Sequence, residues 1–97
     1  MTSLSFDNAM SKARDNEERA ESYQRNGDYN SAANCYRDAA REYENASFIA
    51  YGYGNFSISS NINNCADRCM NMVSEMRYKV LEESAKKLNR KNDEFIM

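Results

Sequence analysis

Apolar residues near the start of the chain recur at helical spacings. They lie three, four or seven residues apart, at Phe6, Ala9, Ala13, Ala20 and Tyr23. Charged residues of alternating sign fill the positions between them, which is the pattern of an amphipathic helix with one buried face. Ser5 supplies an N-cap hydroxyl and Asp7 an early carboxylate. The pattern predicts a first helix over residues 5–26.

A stop signal and a start signal follow at once in Asn26-Gly27-Asp28. Glycine accepts the left-handed conformation that ends a helix, and aspartate is a good N-cap for the next one. The second apolar stripe has tyrosines seven residues apart with paired alanines between them: Tyr29, Ala32, Ala33, Tyr36, Ala39, Ala40 and Tyr43. Helix 2 is therefore predicted over residues 28–50, folded back on helix 1, with the stripe in the core.

A glycine-rich segment, Tyr51-Gly52-Tyr53-Gly54-Asn55, separates helix 2 from the last helix. We predict a loop over 51–57, a third helix over 58–89 and a tail over 90–97. One face of helix 3 is apolar, at Ile62, Ala66, Cys69, Val73, Met76 and Val80, bordered by Cys65 and Met72. A second apolar line of Met70, Leu81 and Leu88, with the stem of Arg77, lies about a quarter-turn away.

The predicted helices differ in length. At about 1.5 Å per residue, helix 1 spans roughly 33 Å and helix 3 roughly 48 Å. Helix 3 should therefore pass the Gly27 turn by about ten residues. This overhang carries Leu81, Ala85 and Leu88, and the tail adds Phe95 and Ile96, so we expect a second surface to cover it.

Composition supports an all-α fold. The chain has 97 residues, enough for one domain, with no proline and three glycines. Leu, Ile, Val and Phe are few, but alanine, tyrosine and methionine supply apolar volume suited to close helix packing. The formal net charge of −2 is too small and too evenly mixed for a general nucleic-acid or membrane-surface binder. We predict an antiparallel three-helix bundle with a long third helix.

The residues available for chemistry are limited. Histidine is absent from the sequence, which removes the commonest general base and metal ligand. Cys35, Cys65 and Cys69 fall short of the four ligands of structural zinc and are expected as small core side chains. We predict no catalytic residue, metal or cofactor. An odd cysteine count, with no signal peptide or membrane span, favours the cytoplasm.

Two helical families share spacings with this chain. The run Ala20-x-x-Tyr23-x-x-x-Gly27-Asp28-Tyr29-x-x-Ala32-x-x-x-Tyr36-x-x-Ala39 resembles the tetratricopeptide repeat signature. Over residues 9–80 the chain is also similar to the MIT domain, a three-helix relative of that hairpin, with Cys65 to Met76 resembling its closing segment. Both resemblances imply binding of peptides or partner proteins, in MIT domains beside the third helix.

Our first functional hypothesis is a non-catalytic module that binds a peptide or helix of another protein beside helix 3. The residues expected to carry this binding are Met70, Arg77, Leu81 and Leu88, with Tyr36 and Tyr43 as groove walls. The second hypothesis is a homo-oligomeric subunit that self-associates through the apolar surface of helix 3. The third hypothesis, an enzyme, has no converging set of polar residues in the sequence to support it. A nucleic-acid adaptor is a fourth, carried only by the basic end of helix 3 around Lys86 and Lys87.

Overall fold

The chain folds into three α-helices. The computed structural model describes residues 4–96, with side chains described for residues 4–88. The helices are α1 (Leu4–Arg25), α2 (Tyr29–Gly52) and α3 (Phe56–Ile96). Helix α2 packs against both α1 and α3, whereas α1 and α3 approach each other closely at few points. The predicted all-α architecture with a long third helix is confirmed.

The turn between α1 and α2 forms as predicted. Gly27 has φ +80°, in the left-handed region. The amide of Asp28 donates to the carbonyl of Tyr23 at 2.9 Å and that of Gly27 donates to Gln24 at 3.1 Å, the paired bonds of a Schellman motif. The Asp28 carboxylate then accepts from the Ser31 amide at 3.2 Å and caps α2.

The turn between α2 and α3 is shorter than the predicted loop over 51–57. Tyr51 and Gly52 belong to α2, and Gly54 alone takes a positive φ, +78°. The Asn55 amide donates to the Ala50 carbonyl at 2.9 Å, which closes a second Schellman motif. One left-handed glycine is enough to end a helix, so the other glycine stays helical.

The predicted helix boundaries need three corrections. Helix α1 begins at Leu4, so Ser5 lies inside its first turn and does not precede it. Helix α3 begins at Phe56, since the Ser59 amide already donates to the Asn55 carbonyl at 3.0 Å, and Ser57 is likewise internal. At the other end α3 continues to Ile96 where a separate tail was predicted. No glycine or proline follows Gly54, so the two strongest helix-ending residues are absent from this part of the sequence.

The core lies where the three predicted faces meet. Its buried members come mainly from alanines of α1 and α2 and from the predicted apolar face of α3: Ala9, Ala13, Ala20, Ala32, Ala33, Tyr36, Ala39, Ala40, Tyr43, Ala46, Ile62, Ala66, Cys69, Val73 and Met76. Alanines hold the helix axes close, and the rings of the two tyrosines fill the remaining space. The predicted core stripes are confirmed for most of their members. Tyr23 is the exception, because in the last turn of α1 its side chain is 40% exposed and lies outside the core, and Phe6, Tyr29 and Val80 are only half-buried.

Helix α3 extends past the first turn, as its length predicted. The segment Gly27–Asn30 lies beside Val80, Glu83, Ser84 and Lys87. From Lys87 the helix continues nine residues to Ile96, about 13 Å at 1.5 Å per residue. Every side chain from Leu81 to Leu88 is exposed. The predicted contribution of Phe95 and Ile96 lies outside the described side chains.

Candidate partner-binding surface

Tyr36 and Tyr43, expected as groove walls, lie in the core between the helices. Each is about 4% exposed. The Tyr36 hydroxyl donates to Oε1 of Gln24 at 2.7 Å, and the Tyr43 hydroxyl donates to Oε1 of Glu17 at 2.7 Å. Burial is the main reason that the pKa of each phenol is raised. Their rings are covered by α1, so a partner does not reach them in this conformation.

Glu17, one of the charged residues between the apolar positions of helix 1, lies at the meeting point of all three helices. Its second oxygen, Oε2, accepts from Nη2 of Arg68 on α3 at 2.9 Å. The Glu17 side chain is 18% exposed. Its burial could have been predicted from the sequence, because Glu17 follows Ala13 by four residues and precedes Ala20 by three, and this spacing places it beside the buried face of the helix.

The other four predicted site residues are on the surface of α3. Met70 is 42% exposed, Leu81 68% and Leu88 63%, and Arg77 is also exposed. Phe56 and Asn63 precede Met70 and Arg77 at intervals of seven residues, so these four positions follow one line along the helix. The predicted line through Met70 and Arg77 therefore extends back to Phe56 at the start of α3.

A groove runs between α2 and α3 at the start of that line. It consists of two adjoining depressions of about 340 and 260 Å³ that share Tyr51, Ser59 and Asn63. Ser47 and Ser59 join the helices beneath it, with hydroxyl oxygens 2.8 Å apart and the Ser47 hydroxyl also 3.1 Å from the Ser59 carbonyl. The rings of Tyr51 and Phe56 contact each other at the end of the groove, with centroids 4.9 Å apart.

This end of the bundle has an unusual chemical character for so charged a chain. The sequence has no Asp, Glu, Lys or Arg between Glu44 and Asp67. The same segment exposes four aromatic side chains, Phe48, Tyr51, Tyr53 and Phe56. We call these four residues the aromatic end. The aromatic end was not predicted because the segment was interpreted as a turn. The absence of charged residues between Glu44 and Asp67 was the available signal.

A second groove lies between α1 and α3 and has a volume of about 530 Å³. Its apolar lining includes Phe6 and Met10 from α1 and Ile58 and Ile62 from α3. Polar and charged residues also line it: Asp7, Ser11, Arg14, Asp15, Glu18 and Asn61. The loose approach of α1 to α3 leaves this groove open.

The cysteines occupy or border the core as expected. Cys69 is fully buried, while Cys35 and Cys65 are half-buried, and all three are free thiols. Burial, with a smaller contribution from the Glu17 carboxylate, raises the pKa of Cys69 to about 11. Burial is also the main cause of the raised pKa of Cys35. Over the described residues, no group of three or more Cys, Asp or Glu side chains is placed to hold a metal ion.

Comparisons with known proteins do not assign the chain to a family. It matches no protein-family model, no curated protein and no solved structure. The likeness to tetratricopeptide hairpins and MIT domains therefore rests on the residues quoted above, and the three-helix bundle is what the structure supports. Within residues 4–96, no helix contains an apolar stretch able to cross a bilayer.

Proposed function

We propose that this protein is a non-catalytic interaction module that binds a peptide or helix of a partner protein along α3. The observation that carries the proposal is the continuity of the α2–α3 groove with the exposed line of α3. Phe56 lines the groove, and Met70 lies on the same line two helical repeats of seven residues further on. A bound segment therefore has a continuous track beside α3.

The lining of the groove indicates what kind of segment it binds. The rings of Phe48, Tyr51 and Phe56 provide apolar contact area, and aromatic anchors of this kind dominate binding energy at protein interfaces. Ser60 and Asn63 add hydroxyl and amide groups that can pair with a peptide backbone. Glu44 is the one charged residue in the lining of the groove, and none lies between it and Asp67 in the sequence, so the facing residues of the ligand should be mainly apolar and should not be acidic near Glu44.

Self-association is the second candidate function, and it involves a different part of α3. The overhang beyond Lys87 has no neighbouring helix among the described residues. Leu88 at its start and Leu81 two turns earlier are both exposed. Apolar side chains of this size in water favour association with another surface. The groove and the overhang lie at opposite ends of the bundle, so binding at one end is compatible with association at the other.

Peptide display tests the groove directly. Random-sequence peptides selected on the immobilised protein should be enriched in uncharged apolar anchors at helical or extended spacings. Their affinity, measured by titration, should fall at least about tenfold in Phe48→Asp and in Met70→Asp. Leu4→Asp is the matched control, because Leu4 is 77% exposed on α1 and Phe48 is 78% exposed.

Two results would contradict the proposal. Peptides that bind wild type and Phe48→Asp equally well, but fail to bind Met10→Asp, would place the site in the α1–α3 groove. A selection that enriches no peptide above the background of the Phe48→Asp protein would remove the groove as a binding site. Circular dichroism melting of each variant confirms that the bundle is intact.

A further inference from the structure

The exposed part of α3 beyond the first turn carries its own apolar repeat. Tyr78, Leu81, Ala85 and Leu88 follow one another at intervals of three, four and three residues. All four are exposed, with Tyr78 at 66%. This spacing is the a/d pattern of a coiled coil, in which apolar residues repeat every 3.5 residues on average. The sequence continues the pattern at Asn92 and Phe95.

This stripe is separate from the face that builds the bundle. The core face of α3 contains Val73 and Met76, both buried. At about 100° per residue, the stripe is centred roughly 120° around the helix axis from that face. Helix α2 begins at Tyr29, whose ring lies 5.3 Å from the Lys79 ammonium, and its first residues still lie beside Lys87, so α3 extends beyond α2 from about Leu88 onward. The four residues of the stripe are nevertheless exposed, because they point away from α2. A second helix can therefore lie along the stripe.

We propose that the stripe is the seam of a parallel, in-register, two-stranded coiled coil with a second copy of this chain. The inference rests on the second candidate function and names its geometry. It does not depend on the groove between α2 and α3. A homodimer satisfies this arrangement, because a two-fold axis parallel to the helices places each apolar position of the stripe opposite the same position of the other copy.

Charge complementarity favours a second copy in parallel orientation. With Tyr78 at an a position and Leu81 at a d position, Arg77 falls at g and Glu82 at the e position of the following heptad. In a parallel dimer, g of one strand faces that e position of the other, so Arg77 lies opposite Glu82 twice by symmetry. In an antiparallel pair, g faces g and e faces e, so Arg77 would not face Glu82.

The length of the free helix is a further reason for a partner. Residues 88–96 amount to about 13 Å of helix beyond the first turn. Isolated helices of this length are marginal in water, because most helical stability in proteins comes from packing of an apolar face. Pairing of two overhangs supplies that packing for both copies.

Sedimentation equilibrium of the whole protein tests the association. The wild-type mass should rise with concentration to twice the 11.2 kDa of the chain. Leu81→Asp with Leu88→Asp should remain monomeric, with the dissociation constant raised at least about a hundredfold. The control is Lys86→Asp, which changes the charge by the same two units but lies off the stripe, and it should dimerise like wild type. A monomeric wild type, or a double variant that still dimerises, would overturn the proposal.

Charge exchange tests the orientation. Arg77→Glu and Glu82→Arg should each weaken the dimer about threefold to tenfold, and the double exchange should restore it. If both single variants weaken the dimer and the double exchange does not recover it, the parallel register is wrong. Melting by circular dichroism at a concentration where all variants are monomeric shows whether the bundle itself is intact.

The peptide-binding groove and the coiled-coil dimer can be disproved independently of each other. Phe48→Asp should leave the dimer unchanged, and the Leu81→Asp, Leu88→Asp double variant should still bind the selected peptides. Loss of dimerisation in Phe48→Asp would show that the aromatic end, and not the overhang, joins the two copies.

Discussion

The phenol of Tyr43 on α2 donates a hydrogen bond of 2.7 Å to the Glu17 carboxylate on α1. The other oxygen of that carboxylate accepts from Arg68 on α3 at 2.9 Å, the one ion pair found among the described side chains. A single glutamate thus links all three helices. Because α1 and α3 otherwise approach closely at few points, this link contributes to the position of α1 beside α3.

Removal of this carboxylate should destabilise the bundle. Glu17→Ala leaves the buried Tyr43 hydroxyl without its acceptor, so we expect a loss of about 1 to 3 kcal/mol in the free energy of unfolding. Urea unfolding followed by circular dichroism measures it. Glu18→Ala is the matched control, since Glu18 is exposed, and it should change stability by less than about 0.5 kcal/mol. Equal effects of the two substitutions would show that the three-helix link is energetically neutral.

The three glycines should respond differently to substitution. Gly27→Ala and Gly54→Ala place a β-carbon at positive φ and should each cost about 1 to 2 kcal/mol. Gly27→Val should cost at least as much. Gly52 is helical, and a β-carbon there would meet no atom within 4 Å, so Gly52→Ala should be neutral or stabilising by up to about 1 kcal/mol. Thermal midpoints that fall for Gly52→Ala and not for Gly54→Ala would contradict the turn geometry.

Alkaline pH should weaken the fold through Cys69. Its pKa is raised from 9.0 to about 11 in the folded protein. Below pH 9 the thiol is protonated in both states, whereas between pH 9 and 11 only the unfolded chain loses the proton. Folding stability should therefore fall over this interval, by about 2 to 3 kcal/mol from this group. The raised pKa values of Tyr36 and Tyr43 act in the same direction above pH 10.

The comparison protein for this measurement is Cys69→Ala, which lacks the titrating thiol. Its free energy of unfolding should start lower at pH 8, because a buried side chain is truncated, but should decline less steeply to pH 11. Alkylation of Cys69 should be far slower in the folded protein than in denaturant, because the thiol is fully buried. Parallel stability curves for the two proteins would show that Cys69 does not cause the decline.

Local sequence patterns determined the helices and their buried faces. The alanine and tyrosine spacings of α2 and the line from Ile62 to Met76 predicted the core because helical period alone decides which side chains share a face. Gly27 and Asp28 predicted the first turn because each residue type satisfies a specific backbone requirement there. Length alone predicted that α3 passes this turn.

Tertiary structure decided which polar groups enter the core and which turn glycine is used. Glu17 looked like one charge among many, and its two partners lie 26 and 51 residues away in the sequence. Ser47 and Ser59 became buried partners through the α2–α3 register. The choice between Gly52 and Gly54 depended on where α2 could close its last hydrogen bonds and still return α3 against it. Helical periodicity specifies directions on one helix, whereas the pairing of side chains from different helices is specified only when all three pack together.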